Sequence, residues 1–267
     1  MNMQNFEILC NVGRQITMLA EFPADHTVGD KRPAMLFIHG GGWRGGSVDM
    51  FVPHMKYMAA LGLACFAVDY RLQNASVGVA DCLADCRAAV AYIRAHSDEY
   101  GIDTNRIYAM GDSAGGHLAL CLGLPRITPD PNERVSLVVN CNGVVDMTTT
   151  FFNHLYDDRI LADVSSESAW LARYEYAEAL SPLYQVSADA ADVLNVLNVQ
   201  GLADPVVLPQ ETLRFHKSLM EKGVSSELWL LPDVTHAFIL FDYQLDNAKV
   251  QSILQRICLW LSEKGFL

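Results

Sequence analysis

The chain has few basic residues, and they form no cluster. Of its 267 residues, 19 are Lys or Arg and 31 are Asp or Glu, which gives a formal net charge of −12. Proteins bind nucleic acids and anionic membrane surfaces through a concentrated positive charge of their own. The composition therefore disfavours nucleic acid and an anionic membrane surface as partners, and we expect neither.

Long hydrophobic runs are also absent. No apolar stretch approaches the roughly 20 residues that span a bilayer, and no basic segment followed by an apolar one marks a signal peptide at the first residues. The seven cysteines are odd in number and mostly lie inside apolar runs. Cys82 and Cys86 share a predicted helical face without further ligands nearby, so we expect packing and no metal. Together these features predict a cytoplasmic protein.

The chain contains no internal repeat and no low-complexity linker, and its length suits one domain. An apparent hairpin, 6–11 and 15–22, is followed by short apolar runs that alternate with helical patterns. The further predicted strands are 34–38, 63–68, 107–110, 135–141, 193–199 and 227–231. The predicted helices are 49–61, 79–97, 113–122, 209–221 and 244–262. This alternation predicts an α/β fold with a mostly parallel eight-stranded sheet and helices on both faces.

Residues 147–184 interrupt the alternation. The segment is long for a connection and rich in aromatic side chains. Long insertions in compact domains are usually functional, which favours a lid or cap. The alternative is a crossover helix over 166–180 with an elaborated loop. The two interpretations are compatible, because the helix can pack on the domain while the loop covers the site. Phe151, Phe152 and Tyr156 of this segment are candidates for contact with a bound ligand, as is Trp43.

The most informative motif is Gly111-Asp112-Ser113-Ala114-Gly115, between an apolar run and a helix-forming one. G-x-S-x-G at a strand-to-helix junction is typical of a nucleophile elbow, in which a strained turn exposes the serine hydroxyl. An ordinary glycine-rich turn fits the same five residues. In an elbow we expect the side chain of Asp112 to turn away from the active face.

A nucleophilic serine needs a base to accept its proton and a third group to orient that base. Of the eight histidines, His236 has the most suitable position, between the predicted last strand and the last helix. Asp204 follows the preceding strand and is our candidate carboxylate. Asp233 competes with it, but three residues of a tight loop rarely allow a carboxylate to reach the imidazole.

Three successive glycines, Gly40 to Gly42, follow an early predicted strand between His39 and Trp43. Glycines leave backbone N–H groups unobstructed, which suits donors aimed at an oxyanion. A phosphate-binding turn is the alternative. However, neither G-x-G-x-x-G nor a P-loop lysine pattern is present.

The motifs His39-Gly40-Gly41-Gly42-Trp43 and Gly111-Asp112-Ser113-Ala114-Gly115-Gly116, with Ser113, Asp204 and His236 in that order, resemble α/β-hydrolase-fold serine esterases. The likeness is to the hormone-sensitive-lipase-like branch and to bacterial acetyl-xylan and feruloyl esterases. Asp69-Tyr70-Arg71-Leu72 runs into Gln73-Asn74-Ala75 where lipase-like members carry Ala-Pro-Glu, which favours the compact esterases. The resemblance implies oxyanion donors at the N–H groups of Gly41, Gly42 and Ala114, and no cofactor. It also suggests that Asp69 and Arg71 brace the glycine loop.

These observations predict a serine hydrolase that cleaves short-chain carboxylic esters and that deacetylates or deferuloylates saccharides. An amidase, formamidase or peptidase of the same fold is the alternative within the class. A non-catalytic small-molecule-binding protein on the same scaffold is the alternative outside it. Nothing in the sequence indicates an oligomeric state.

Overall fold

A computed structural model describes residues 4–9, 15–152, 167–241 and 246–267, and these residues form one sheet of eight strands in the order β1-β2-β4-β3-β5-β6-β7-β8. Strands β1 and β2 form an antiparallel pair at one edge, and β2 is antiparallel to β4. The strands from β3 to β8 are parallel. This confirms the predicted mostly parallel sheet. The strands are β1 (Gln4–Leu9), β2 (Gln15–Glu21), β3 (Arg32–Ile38), β4 (Ala64–Val68), β5 (Ile102–Asp112), β6 (Leu137–Cys141), β7 (Asn195–Gly201) and β8 (Ser225–Leu231).

Helices cover both faces of the sheet. They are α1 (Val52–Ala59), α2 (Val79–Ala95), α3 (Ala114–Gly123), α4 (Met147–Phe152), α5 (Glu167–Ala179), α6 (Pro182–Gln185), α7 (Pro209–Glu221) and α8 (Asn247–Glu263). Among the described helices, none combines the length and the hydropathy of a bilayer-spanning segment.

The core has two layers because successive side chains of a strand point to opposite faces. In β3, Leu36 and Ile38 join the layer that includes residues of α2 and α3. Met35 and Phe37 join the layer that includes residues of α1 and α8. The uninterrupted apolar run 34–38 of β3 is what burial on both faces of the sheet favours.

The predicted helix over 49–61 is divided in the structure. A 3₁₀ turn, Val48–Phe51, precedes α1. Pro53 lies at the start of α1 and has no N–H to bond the carbonyl group of residue 49, so a continuous α-helix cannot form there.

The predicted insertion contributes α4, α5 and α6. Helix α5 agrees with the predicted helix over 166–180 to within a residue at each end. Residues 153–166 lie outside the described part of the chain, so the lid remains a prediction.

Candidate active site

The serine of the G-x-S-x-G motif lies at the turn between β5 and α3, at the carboxyl edge of the sheet. Ser113 has φ 52° and ψ −118°, a strained backbone conformation for a residue with a side chain. The turn fits closely against β3: a Cβ atom on Gly115 would lie 1.9 Å from the carbonyl oxygen of Ile38. Glycine is therefore required at that position, and the motif forms the elbow geometry that the sequence predicts.

Two hydrogen bonds connect Ser113 to a histidine and an aspartate from two other loops. His236 Nε2 lies 2.8 Å from Ser113 Oγ, and His236 Nδ1 lies 2.8 Å from Asp204 Oδ2. Because the carboxylate can only accept, Nδ1 carries the hydrogen and Nε2 is left to accept the serine proton. Asp233 is exposed and has φ 56°, whereas Asp204 is only 3% exposed. The geometry thus favours Asp204 over its competitor.

The Asp204 carboxylate is held by donors on both oxygens. Oδ1 accepts the N–H groups of Val206 and Val207 at 2.8 and 3.0 Å, and Oδ2 accepts Gln200 Nε2 at 3.2 Å. Thr212 Oγ1 in turn donates to Gln200 Oε1 at 2.8 Å. Burial alone would raise the pKa of Asp204, but the hydrogen bond and charge of His236 and the two N–H donors outweigh it and lower the pKa. The role of Gln200 has no signal in the sequence.

The glycine loop lies beside the serine. Gly41 has φ 110° and Gly42 has φ 61°, and both line the same cavity as Ser113 and His236. The N–H of Ala114 belongs to the first turn of α3, where helical N–H groups have no intrahelical acceptor. In the described residues, these three N–H groups make no hydrogen bond, so they are available for an oxyanion.

The segment that follows β4, residues 69–73, supports the glycine loop. Tyr70 Oη donates to the carbonyl oxygen of His39 at 2.9 Å, and the Gln73 N–H donates to that of Trp43 at 2.7 Å. The Arg71 guanidinium forms two hydrogen bonds with the Asp85 carboxylate of α2, and Asp69 approaches His39 Nε2 at 4.0 Å. Tyr70 and Gln73 are thus bracing residues that the sequence interpretation, which named Asp69 and Arg71, did not include.

The cavity at Ser113 is small, about 220 Å³, and largely apolar. Its apolar wall is formed by Met50, Val206, Ala237 and Leu240. Trp43, which we expected to contact substrate, is not part of this wall. Its ring is 1% exposed and packs edge-on against His117 with the ring centroids 5.3 Å apart. The prediction for Trp43 is wrong because the left-handed turn at residue 43 (φ 61°) directs the chain so that the indole enters the core.

The remaining predicted substrate contacts cannot be compared with the cavity. Phe151 and Phe152 are the last two residues of α4, but their side chains lie outside the described part of the chain, as does all of Tyr156.

Asp112 does not turn away from the active face as we expected. The residue is 1% exposed and is one of those that line the cavity. A Cβ atom on Gly40 would lie 2.8 Å from Asp112 Oδ2, so the carboxyl group packs directly beneath the glycine loop. Burial raises the pKa of Asp112 to about 7, although His236 and a hydrogen bond from Asn142 act in the opposite direction.

Comparison with known proteins agrees with this geometry. The BD-FAE family model matches residues 22–219, which include Ser113 and Asp204 and end before His236. The chain belongs to the BD-FAE family.

Curated relatives of this BD-FAE chain are named as esterases. Esterase LipC of Mycobacterium tuberculosis is 27% identical over 86% of the chain and 58% of its own length. The probable carboxylic ester hydrolase LipM of the same organism is 31% identical over 78% of the chain and 50% of its own length. The chain thus spans between half and three-fifths of these relatives.

Solved structures match the chain almost end to end. Thermogutta terrifontis esterase 2 phosphorylated by paraoxon has a TM-score of 0.81 and 28% identity, over 99% of this chain and 95% of that one. The propionate-bound form of the same esterase has a TM-score of 0.81 and 29% identity over the same shares. The α/β-hydrolase fold of the BD-FAE chain is therefore that of known esterases.

A buried carboxyl group near Asp204 allows a test of the electrostatics of the BD-FAE site. Glu211, in the first turn of α7, is 8% exposed. Burial raises its pKa to about 7, the charges of Asp146 and Asp204 add to this effect, and Arg214 opposes it. A carboxyl group with a raised pKa binds its proton more tightly in the folded state, so its ionisation costs stability progressively as the pH rises from the unfolded value toward 7.

We expect Glu211→Gln to raise the free energy of unfolding at pH 8 by about 1–3 kcal/mol and to leave it nearly unchanged at pH 4.5. Urea unfolding at the two pH values measures this difference. Glu221→Gln is the matched control, because Glu221 is exposed at the other end of α7; it is expected to change the free energy by less than about 0.5 kcal/mol at either pH. Equal gains at both pH values would contradict the electrostatic explanation.

Proposed function

We propose that this protein is a serine hydrolase that cleaves carboxylic esters with short acyl groups. The observation that carries the proposal is the hydrogen-bonded series Ser113–His236–Asp204, which opens on a small apolar cavity beside Gly41 and Gly42. The esterase names of its relatives point to the same reaction class.

In the proposed reaction, His236 Nε2 accepts the proton of Ser113 Oγ as the oxygen attacks the ester carbonyl carbon. Asp204 keeps the hydrogen on Nδ1 and stabilises the imidazolium that forms. The N–H groups of Gly41, Gly42 and Ala114 stabilise the negative charge on the former carbonyl oxygen. His236 then gives its proton to the departing alcohol. A water molecule, activated by the same imidazole, attacks the acyl-enzyme, releases the carboxylic acid and restores the serine.

The size of the cavity supports a short acyl group. A volume of about 220 Å³ lies below the roughly 300–1,000 Å³ of sites that take drug-sized ligands. Forms of Thermogutta terrifontis esterase 2 with propionate and with butyrate are known, and acids of this length suit the apolar wall of Met50, Val206 and Leu240. We propose a small ester, including a saccharide ester, as the substrate.

The cysteines indicate the cellular compartment of the protein. The six cysteines that lie in the described residues all carry free, buried thiols, as is usual in a reducing compartment. We propose the cytoplasm.

An acyl-length series with a covalent probe tests the function. With p-nitrophenyl acetate, propionate, butyrate, octanoate and dodecanoate, kcat/KM is expected to be highest for the three short esters and to fall for the two long ones. Paraoxon is expected to abolish turnover and to phosphorylate the peptide that contains Ser113, detected by mass spectrometry. Higher kcat/KM for the dodecanoate, or for the corresponding anilides than for the esters, would contradict the proposal. Acetylated and feruloylated saccharides, assayed in parallel, test the alcohol group.

A further inference from the structure

A buried asparagine that is not part of the Ser113–His236–Asp204 series contacts the histidine of the site. Asn142 directly follows β6 and is fully buried. Its side-chain Nδ2 lies 3.3 Å from His236 Nδ1, across 94 residues of sequence. Its backbone has φ 41°, and its N–H donates to the Val199 carbonyl oxygen of the neighbouring strand at 2.9 Å. The backbone is therefore fixed where the side chain must meet the imidazole.

The Asn142 amide does not find its hydrogen-bond acceptor on the imidazole. His236 Nδ1 donates its hydrogen to Asp204 Oδ2, so this nitrogen has no free lone pair for the asparagine. The amide therefore packs, at 3.3 Å, against the edge of the imidazole that Asp204 also contacts.

We propose that Asn142 is a positioning residue for the proposed base, because its buried amide packs against the edge of the His236 ring. This inference rests on the proposed function. During acylation the imidazole must receive a proton from Ser113 and deliver it to the leaving group without rotating. A hydrogen bond to Asp204 alone leaves the ring free to tilt about that bond, and the Asn142 amide limits this movement.

Asn142→Gly tests the positioning role, because glycine accepts φ 41° without strain and removes only the amide. With p-nitrophenyl acetate, kcat is expected to fall by about 10- to 100-fold, since small misplacements of reacting groups are that costly, while KM changes less than about twofold. Asn198→Ala is the matched control. Asn198 is a fully buried asparagine of β7 whose amide contacts Asn140 and Ser226, and its variant is expected to lose stability but to keep kcat.

The rate of inactivation by paraoxon provides a second measurement, because it reports the reactivity of Ser113 without ester turnover. It is expected to fall with kcat in Asn142→Gly and to be unchanged in Asn198→Ala, with thermal unfolding as the check that both variants are folded. A folded Asn142→Gly variant with wild-type kcat overturns the inference and leaves the proposed function intact. A wild-type protein without paraoxon-sensitive ester turnover overturns the proposed function itself.

Discussion

Ser113→Ala is expected to lower kcat for p-nitrophenyl acetate by a factor on the order of 10⁵. The turnover that remains is that of an enzyme without a nucleophile. The oxygen that attacks the carbonyl carbon is removed, and His236 loses the group from which it accepts a proton at 2.8 Å. The fold is expected to persist, because the Ser113 N–H still donates to the Cys141 carbonyl oxygen at 3.0 Å and its carbonyl still accepts the His117 N–H. Initial rates at saturating substrate, together with thermal unfolding, measure both effects.

Ser136→Ala is a matched control for this experiment. Ser136 lies at the opposite, amino-terminal side of the sheet, where its hydroxyl donates to the Asn105 carbonyl oxygen at 3.0 Å. The variant is expected to keep full activity with a small loss of stability, about 1 kcal/mol. Activity within tenfold of wild type in Ser113→Ala would show that another group carries the reaction.

The parts of the site that sequence predicts well are those that the backbone determines locally. G-x-S-x-G and the glycine loop can be recognised in the sequence because the backbone packs closely at their glycines. At Gly115, for example, the Ile38 carbonyl group leaves no space for a side chain. His236 and Asp204 were predictable from their place after successive strands, since the carboxyl ends of parallel strands share one edge. The fold followed from the same alternation of buried strands and helices.

Side-chain direction is what the sequence could not supply. Trp43 and Asp112 each belong to a recognisable motif, yet the first enters the core and the second is buried against the glycine loop. Packing against residues distant in sequence decides this: His117 receives the Trp43 ring, and Gly40 leaves room for the Asp112 carboxyl group. The contact of Asn142 with His236 likewise depends on a left-handed residue after β6 that no local pattern marks.

Asp204→Asn is the second substitution from which we expect a very large loss, about 10⁴-fold in kcat, by the effect known for this change in serine proteases. Both carboxylate oxygens lie in positions that face donors: Oδ1 faces the N–H groups of Val206 and Val207, and Oδ2 faces Gln200 Nε2 and His236 Nδ1. An asparagine must put its NH₂ group in one of these positions. Two N–H donors converge on the Oδ1 position, so the amide nitrogen takes the Oδ2 position and donates to His236 Nδ1. The imidazole then carries its hydrogen on Nε2 and cannot accept the proton of Ser113.

The competing carboxylate provides the control for this prediction. Asp233 is exposed on the same loop as His236, and its φ of 56° is one that asparagine adopts readily, so Asp233→Asn is expected to keep kcat within about twofold. The two variants have the same change in charge and in chemistry, which leaves position as the difference between them. Comparable losses in both would assign the orienting role to Asp233 or to neither residue. A loss confined to Asp204→Asn, with KM and thermal stability near wild type, would identify a tautomer effect, because general destabilisation would lower the unfolding temperature together with kcat.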